Sequence, residues 1–295
     1  MGSVISRSSR INASDSVTNS TTITTGPHWR GLQNISHLII FGDSYSDVGY
    51  RPKYSPAPTK DNPLGEPFPA STYSEPDTPN WVGHLITKYL SHGSVLVYDY
   101  AVGGDTVRGV STQVRAGFLP GAGQKPTWAP WSSTDALFIT WIGINDCGFG
   151  GKEQIQKSIN KLFEEQEELF SVGARNFLFI DIPPVHVSPT CQSLRKRRGE
   201  AASHIFEFWN SELRSRISVF STSHPAATVM LFSSWDTFMR ILNDPISHGF
   251  EKEDIAKSRG SFWVDHLHPT TKVHDWIAKD LYEFLVAQST HTSTE

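Results

Sequence analysis

The 295-residue sequence predicts a single α/β domain built on a parallel sheet. Short apolar runs alternate with longer amphipathic stretches, which is the pattern of successive β-α units. The apolar runs contain few polar residues, as expected for strands that are covered on both faces. No internal repeat or interdomain linker interrupts the alternation. The predicted strands are residues 37–42, 95–99, 136–142, 176–181 and 227–232.

The amphipathic stretches fit helices that connect these strands. In one of them Ile155, Ile159 and Leu162 recur near helical spacing, with Glu and Lys residues between them. Asn80 fits an N-cap, because its side-chain oxygen can accept a main-chain N–H of the first turn. The predicted helices are residues 80–91, 153–172, 200–219 and 271–288, and the predicted long loops are residues 50–79 and 117–133.

The N-terminal part of the chain predicts a disordered tail, residues 1–30, ahead of a folded domain, residues 31–290. The tail is rich in Ser, Thr and Asn and has little apolar continuity. It lacks the apolar segment of a secretory signal, so we expect a cytoplasmic protein. Its first six residues match the N-myristoylation pattern, which leaves open a weak membrane association through Gly2. No apolar stretch is long enough to predict a transmembrane helix.

Composition excludes several classes of function. The net charge is −4 and the charged fraction 19%, which fits a globular protein without the basic face that a nucleic-acid partner would need. Cys147 and Cys191 are too few for a zinc site without histidines at ligand spacing, and free thiols are favoured over a single bridge. The sequence therefore predicts no cofactor and no metal.

A serine at the end of a buried strand is the first candidate for chemistry. The apolar run Leu-Ile-Ile-Phe ends in Gly-Asp-Ser at Ser44, and far along the chain Asp265 and His268 stand three residues apart. A serine becomes a nucleophile only with a base in hydrogen-bond reach and a carboxylate that orients the base. Ser44, His268 and Asp265 are therefore the candidate nucleophile, base and orienting carboxylate, and His266 is interpreted as a bystander.

The chain order argues against the common serine hydrolases. Chymotrypsin and subtilisin carry their triads in other orders, and an α/β-hydrolase would show Gly-x-Ser-x-Gly around the nucleophile. Here the sequence around Ser44 is Gly-Asp-Ser-Tyr-Ser.

Four sequence blocks in order resemble the GDSL, or SGNH, hydrolases. They are Phe-Gly-Asp-Ser at 41–44, Tyr-Ala-Val-Gly-Gly-Asp-Thr at 100–106, Gly-Ile-Asn-Asp at 143–146 and Asp-His-Leu-His at 265–268. The blocks span most of the chain. Within the family, Tyr-Ser-Asp-Val-Gly after the serine resembles the fungal acetylesterases of carbohydrate esterase family 16.

The resemblance implies a flavodoxin-like, three-layer α/β/α sandwich and a serine esterase that acts on short acyl esters, chiefly acetyl esters of carbohydrates. It also implies an oxyanion hole formed by the N–H groups of Ser44 and Gly104 and the side chain of Asn145. These residues follow predicted strand ends, which independently places them at one edge of the sheet. Asp99 stands where the family usually has an asparagine, and we expect activity to survive this change.

Two tryptophans in the second long loop are candidates for a substrate wall. A sugar ring presents a flat C–H face that stacks on an indole ring, and Trp128 and Trp131 lie in the Pro-rich part of that loop. Trp141, on a predicted strand, is expected in the core.

Other functions stay open on this sequence. A lipid esterase or lysophospholipase, or an acyltransferase, would use the same residues on the same fold. A metal-dependent phosphoesterase is disfavoured, because Asp43 and Asp47 stand one residue too far apart for its usual motif and Asn145 is not followed by His. A non-catalytic carbohydrate-binding protein is disfavoured by the complete set of candidate catalytic residues.

Overall fold

A six-stranded sheet forms the centre of the computed structural model, which describes residues 19–90, 95–191 and 204–290. Its order is β1-β6-β5-β4-β2-β3, and every neighbouring pair is parallel except β1 with β6. The strands are β1 Thr21–Thr24, β2 His37–Gly42, β3 Leu96–Asp99, β4 Ala136–Trp141, β5 Asn176–Ile180 and β6 Thr228–Phe232. The five predicted strands are confirmed to within one residue at each end.

Helices cover the sheet in two groups. Helix α4 contacts both α2 and α5, and helix α7 contacts both α1 and α6, which gives two helical layers around the sheet and a three-layer α/β/α sandwich. Helices α1 and α2 continue as π-helical segments, Leu85–Tyr89 and Gln113–Phe118. The helices are α1 Trp81–His84, α2 Val107–Thr112, α3 Ile144–Phe149, α4 Lys152–Ser171, α5 His204–Ser223, α6 Ser234–Asn243 and α7 Thr271–Val286.

The predicted helices are present, and Asn80 caps α1 as expected, with its side-chain oxygen accepting the N–H of Val82 at 3.0 Å. Helices α2, α3 and α6 were not predicted. The α2 sequence, Val-Arg-Gly-Val-Ser-Thr, consists mostly of poor helix formers, so packing rather than propensity holds it. Helix α6 did carry a signal, because Ser233 caps it through the N–H of Asp236.

The strand order places a crevice between β2 and β4. The parallel strands follow the flavodoxin-like order, in which the chain leaves β2 towards β3 on one side and leaves β4 towards β5 on the other. Connections that diverge in this way open a cleft at the carboxyl ends of the two strands. Ser44, in the loop after β2, and Asn145, in the first turn of α3 after β4, border this cleft.

The predicted disordered tail is wrong for its last residues. Residues Thr21–Thr24 form β1, which pairs antiparallel with β6 through Thr21 opposite Leu231 and Thr22 opposite Met230. The Thr24 hydroxyl also hydrogen-bonds that of Ser221. A run of β-branched residues has high strand propensity, and here it covers the edge of β6. Residues 1–18, with the predicted myristoylation site Gly2, lie outside the described residues.

Two further expectations concern membrane-spanning helices and the two cysteines. Among the helices that the structure describes, none has both the length and the apolar character needed to cross a lipid bilayer. Cys147 and Cys191 are both buried and form no disulfide with each other, as favoured from the sequence.

Removal of β1 should destabilise the protein and expose β6. We compare a chain that begins at Asn19 with one that begins at Thr25. The shorter chain loses the main-chain hydrogen bonds to β6, and we expect its free energy of unfolding to fall by roughly 2 kcal/mol. The exposed β6 edge should also promote association at high concentration. Urea unfolding and sedimentation velocity measure both effects, and identical behaviour of the two chains would contradict a stabilising role for β1.

Candidate active site

The end of β2 is held on both sides. The amide of Gln113 accepts the N–H of Gly42 at 3.0 Å and donates to its carbonyl at 2.8 Å. On the other side β4 lies so close that a Cβ added at Gly42 would be 2.5 Å from the Trp141 carbonyl oxygen. Ser44 follows two residues later, so its main chain starts from a fixed point at the carboxyl edge of the sheet.

Ser44, His268 and Asp265 form one continuous chain of hydrogen bonds. The distance from Ser44 Oγ to His268 Nε2 is 2.9 Å, and that from His268 Nδ1 to Asp265 Oδ2 is 2.8 Å. The second oxygen of Asp265 accepts the N–H groups of Leu267 at 2.7 Å and His268 at 2.8 Å. Burial favours a higher pKa for Asp265, but the hydrogen bonds from the His268 ring and from these N–H groups outweigh it and lower the pKa. The carboxyl therefore stays ionised beside the imidazole.

The loop that carries His268 is anchored from two directions. The Tyr45 hydroxyl, next to Ser44 in sequence, donates to the Leu267 carbonyl at 2.9 Å. The N–H and hydroxyl of Thr190 both donate to the His266 carbonyl, at 2.9 and 2.8 Å. The main chain of His266 thus serves as an anchor while its side chain is exposed. Tyr45 is fully buried and ties the position of the imidazole to that of the serine.

The main-chain N–H groups of Ser44 and Gly104 are available to donate to a bound group. Gly103 donates its N–H to Asp47 at 2.9 Å. For the N–H groups of Ser44 and Gly104, by contrast, no acceptor lies within residues 19–90, 95–191 and 204–290. Gly104 has φ +82°, a left-handed conformation that favours glycine, and open space surrounds its Cα. The geometry therefore favours Gly104 over Gly103 as a donor to a bound group.

Asn145 reaches across the cleft from β4. It follows Gly143, whose φ is +127° and whose Cα is so close to Trp209 that an added Cβ would lie 2.2 Å from the indole ring. The Asn145 Nδ2 donates to the Asp105 carbonyl at 2.8 Å and more weakly to Asp43 Oδ2 at 3.4 Å. The longer of these two bonds leaves a donor available to a negatively charged oxygen.

An ion pair between the buried Asp47 and the partly exposed Arg51 fixes the segment that contains Gly104. The Asp47 carboxylate accepts two bonds from the Arg51 guanidinium, at 3.0 and 2.9 Å, together with the N–H groups of Gly49 and Gly103. The Arg51 guanidinium also donates to the Ala101 carbonyl at 3.3 Å. The loop after β2 is therefore joined to the loop after β3 through one carboxylate.

Comparisons with known proteins identify the family of the chain. The pattern of the GDSL-like lipase/acylhydrolase family matches residues 38–281. The chain belongs to this family. It is therefore a hydrolase that acts on ester bonds, and the resemblance stated from the four sequence blocks is confirmed.

Two curated relatives and one solved structure are similar to this GDSL hydrolase. An acetylesterase of Thermothelomyces thermophilus is 28% identical, with 82% of this chain and 86% of the relative covered. A phosphatidylcholine-sterol acyltransferase of Aeromonas hydrophila is 24% identical, over 77% of this chain and 67% of the relative. An α/β hydrolase enzyme from the metagenome of Lake Arreo, Spain, superposes with a TM-score of 0.53 at 17% identity over 90% of this chain and 100% of that one.

Asp43, in the first GDSL block, has a strongly raised pKa. It is fully buried and accepts the N–H of Tyr45 at 3.1 Å. Burial raises the pKa of Asp43 to about 7, and the nearby carboxylates of Asp146, Asp105 and Asp47 add to the rise. Near neutral pH this carboxyl is therefore poised between its protonated and ionised forms.

Asp99 supports the second block locally. Its Oδ1 accepts the N–H of Ala101 at 2.9 Å, which is a bond that the oxygen of an asparagine would also accept. Burial raises the pKa of Asp99 well above the usual value. A protonated Asp99 resembles an asparagine in charge and shape, so the departure from the family pattern is conservative here.

The structure does not bring Trp128 or Trp131 to the site. Trp131 is 2% exposed, packs on Phe118 and Phe138, and donates its ring N–H to the Ala122 carbonyl, so the substrate-wall prediction is wrong for it. The loop of both tryptophans leads into the amino end of β4, where Asp135 accepts the N–H of His37. Trp128 is half-exposed and its ring packs on Tyr98 of β3, with centroids 6.2 Å apart, so the structure does not place it beside the candidate catalytic residues. Trp141 is buried, as expected.

Tyr73, which sequence reasoning missed, covers the site instead. Its ring centroid is 4.9 Å from that of His268, and its hydroxyl lies against Gly103. With 42% of its surface exposed, it presents an aromatic face beside the candidate catalytic residues. Its place in the long loop 50–79 was the one available signal, and nothing in the local pattern distinguished it from other loop aromatics.

The acidic side chains around Ser44 do not form a metal site. Within the part of the chain that the structure describes, no group of three or more His, Cys, Asp or Glu side chains has an arrangement that could hold a metal ion.

Loss of the Tyr45 hydroxyl should loosen the loop that carries His268. The Tyr45→Phe variant leaves the Leu267 carbonyl without its donor, and a hydrogen bond of this kind contributes about 0.5–1.5 kcal/mol. We expect kcat for an aryl acetate to fall about tenfold while KM changes less than twofold. Tyr98→Phe is the matched control, because Tyr98 donates at 2.7 Å to the main-chain carbonyl of Trp128 rather than to the loop that carries His268. An equal loss of kcat in both variants would contradict the anchoring role.

Protonation of His274 should weaken the fold in acid. Burial lowers its pKa from 6.5 to about 3, with His84 and His268 adding to the effect. Below pH 6.5 the unfolded chain binds a proton that the folded chain does not, so stability falls as the pH drops from 6.5 towards 3. Between pH 7 and pH 5 this difference amounts to about 2 kcal/mol. Urea unfolding should show His274→Leu gaining this amount relative to the wild type, whereas His204→Leu, at an exposed position, should not. Parallel stability curves for all three proteins would contradict the assignment.

Proposed function

We propose that this GDSL hydrolase is a serine esterase that cleaves short acyl esters, acetyl esters of carbohydrates above all. Ser44 is the nucleophile, His268 the general base and Asp265 the orienting carboxylate. The observation that carries the proposal is the unbroken chain of hydrogen bonds from Ser44 Oγ through both nitrogens of His268 to Asp265, with distances of 2.9 and 2.8 Å. An isolated serine hydroxyl is a weak nucleophile, and this arrangement removes its proton as it attacks.

In the acylation step, His268 Nε2 takes the Ser44 proton while Oγ forms a bond to the ester carbonyl carbon. The carbonyl oxygen becomes negative. The N–H groups of Ser44 and Gly104 and the Nδ2 of Asn145 donate to it, and the loss of one such donor typically raises a barrier by about 3 kcal/mol. When the intermediate collapses, the C–O bond to the alcohol breaks and His268 returns the proton to the leaving oxygen.

In the deacylation step, a water molecule repeats the attack on the acyl-serine. His268 accepts the proton of the water, the second tetrahedral intermediate uses the same donors, and the acid leaves as Ser44 regains its proton. Asp265 remains ionised throughout and stabilises the transient imidazolium.

The acetyl preference is supported by the relative named as an acetylesterase, which is matched over 86% of its length. The relative named as an acyltransferase supports a second candidate, in which an alcohol rather than water receives the acyl group from Ser44. Both reactions pass through the same acyl-serine, so they differ only in whether water or an alcohol then receives the acyl group.

A panel of esters tests the proposed substrate class. We expect kcat/KM to fall from p-nitrophenyl acetate through butyrate to octanoate, and acetylated xylo-oligosaccharides to release acetate. A hydrophobic acyl channel would instead favour each added CH₂ by up to about 0.8 kcal/mol. A preference for octanoate would therefore contradict the proposal and support a lipid esterase. Esters formed in the presence of an added alcohol would identify acyl transfer.

Two controls assign any activity to the proposed residues. Ser44→Ala should lose both hydrolysis and labelling by a fluorophosphonate, whereas Ser46→Ala, two residues along the same loop, should keep the label. Activity should also survive prolonged dialysis against EDTA. Loss after chelation with recovery on addition of Mn²⁺ or Zn²⁺ would favour the metal-dependent alternative.

A further inference from the structure

The loop that contains Gly104 also forms one wall of a cavity of about 420 Å³. Val102 and Asp105 line the cavity from this loop, and Tyr50, Arg51 and Tyr54 line it from the long loop after β2. We propose that this cavity binds a sugar ring of the alcohol part of the ester, which rests on the proposed function and adds the place where the carbohydrate sits.

The shape of the cavity follows one face of helix α2 and its continuation. The residues that line the cavity from this element, together with the preceding Asp105, recur at intervals of three or four, twice as adjacent pairs, and so lie on a single helix face. Several are small, so the helix surface leaves room for a bulky group. The cavity thus extends from the side of Gly104 along the helix. The lining residues on this face are Asp105, Gly109, Thr112, Gln113, Ala116 and Gly117.

The polar groups of the cavity suit hydroxyl groups. The Oδ2 of Asp105 accepts the Gln113 amide at 2.8 Å, which fixes the carboxylate, while Oδ1 has no hydrogen-bond partner among the described residues. A carboxylate held in this way can accept hydrogen bonds from sugar hydroxyls. The same Asp105 holds Asn145 through its main-chain carbonyl. A ring bound to this carboxylate is therefore adjacent to the proposed oxyanion donors.

The aromatic groups of the cavity suit the C–H face of a sugar ring. Tyr50 and Tyr100 are buried and pack edge to face, with centroids 6.1 Å apart. Tyr54 is 88% exposed at the rim, so a ring that stacks on it buries apolar surface of both partners. Lys53 adds a donor beside it. An acyl chain in this cavity would instead remove water from the Asp105 carboxylate without offering it a hydrogen bond in return.

A substitution that fills the cavity tests the proposal. Ala116 is exposed at the cavity lip, so Ala116→Trp should fill it without disturbing the core. We expect KM for an acetylated xylo-oligosaccharide to rise at least tenfold, while kcat/KM for p-nitrophenyl acetate stays within twofold. Tyr54→Ala should raise the same KM three- to tenfold. Val219→Trp, which adds a tryptophan at an exposed position of α5, should change neither value.

The outcomes separate the possible failures. Equal losses of kcat/KM on both substrates in Ala116→Trp would overturn the cavity assignment. So would a KM for the sugar ester that is the same in Ala116→Trp as in the wild type. In either case the esterase proposal stands. A selective loss on p-nitrophenyl octanoate would assign the cavity to the acyl chain instead. Wild-type protein that releases no more acetate from sugar esters than Ser44→Ala would overturn the carbohydrate proposal, and the cavity assignment with it.

Discussion

The position of Ser44 depends on the hydrogen bonds that hold Gly42, the last residue of β2. Strand β3 pairs with β2 only as far as Ile40, and beyond it a single long bond, from the Val102 N–H to the Gly42 carbonyl at 3.3 Å, continues the pairing on that side. The side-chain amide of Gln113 hydrogen-bonds both the main-chain N–H and the carbonyl of Gly42, as a neighbouring strand would. Because Gln113 also holds the Asp105 carboxylate, the ends of β2 and β3 are positioned by one side chain. The distance between nucleophile and oxyanion segment is therefore set by a rigid contact.

Around this contact the protein accumulates buried acidic groups, which is an unfavourable arrangement on its own. Burial raises the pKa of Asp43, Asp99 and Asp105, and only Asp47 has a bidentate arginine partner. Most of these carboxyls accept main-chain N–H groups of the loops that carry the site. Such groups contribute little to stability, since the desolvation of a charge is expensive. Their effect is instead to impose one conformation on loops that would otherwise be free to vary.

The sequence predicted those parts of the structure that follow from local pattern. The central strands are apolar runs, so their bounds were accurate, and the convergence of Ser44 and Asn145 followed from the shared edge of parallel strands. Asp265 and His268 lie instead on the loop before α7, and their sequence motif was the signal for them. Strand β1 was missed because its Ser- and Thr-rich surroundings resemble a disordered segment. Trp131 was misplaced because composition shows that a loop is long but not which of its aromatic side chains turn into the core. Tyr73 approaches His268 only through tertiary packing, which no local pattern encodes.

A sugar ring in the cavity would give the loop that contains Gly104 two contacts with the substrate. The segment from Val102 to Asp105 would then contact the alcohol part of the substrate on one face and donate the Gly104 N–H to the oxyanion on the other. Binding energy from a non-reacting ring can favour catalysis when it improves the alignment of groups that act in the transition state. A ring that holds Asp105 would steady both Gly104 and, through the Asp105 carbonyl, Asn145. Selectivity for sugar esters would then appear in kcat as well as in KM, because recognition and oxyanion stabilisation use the same few residues.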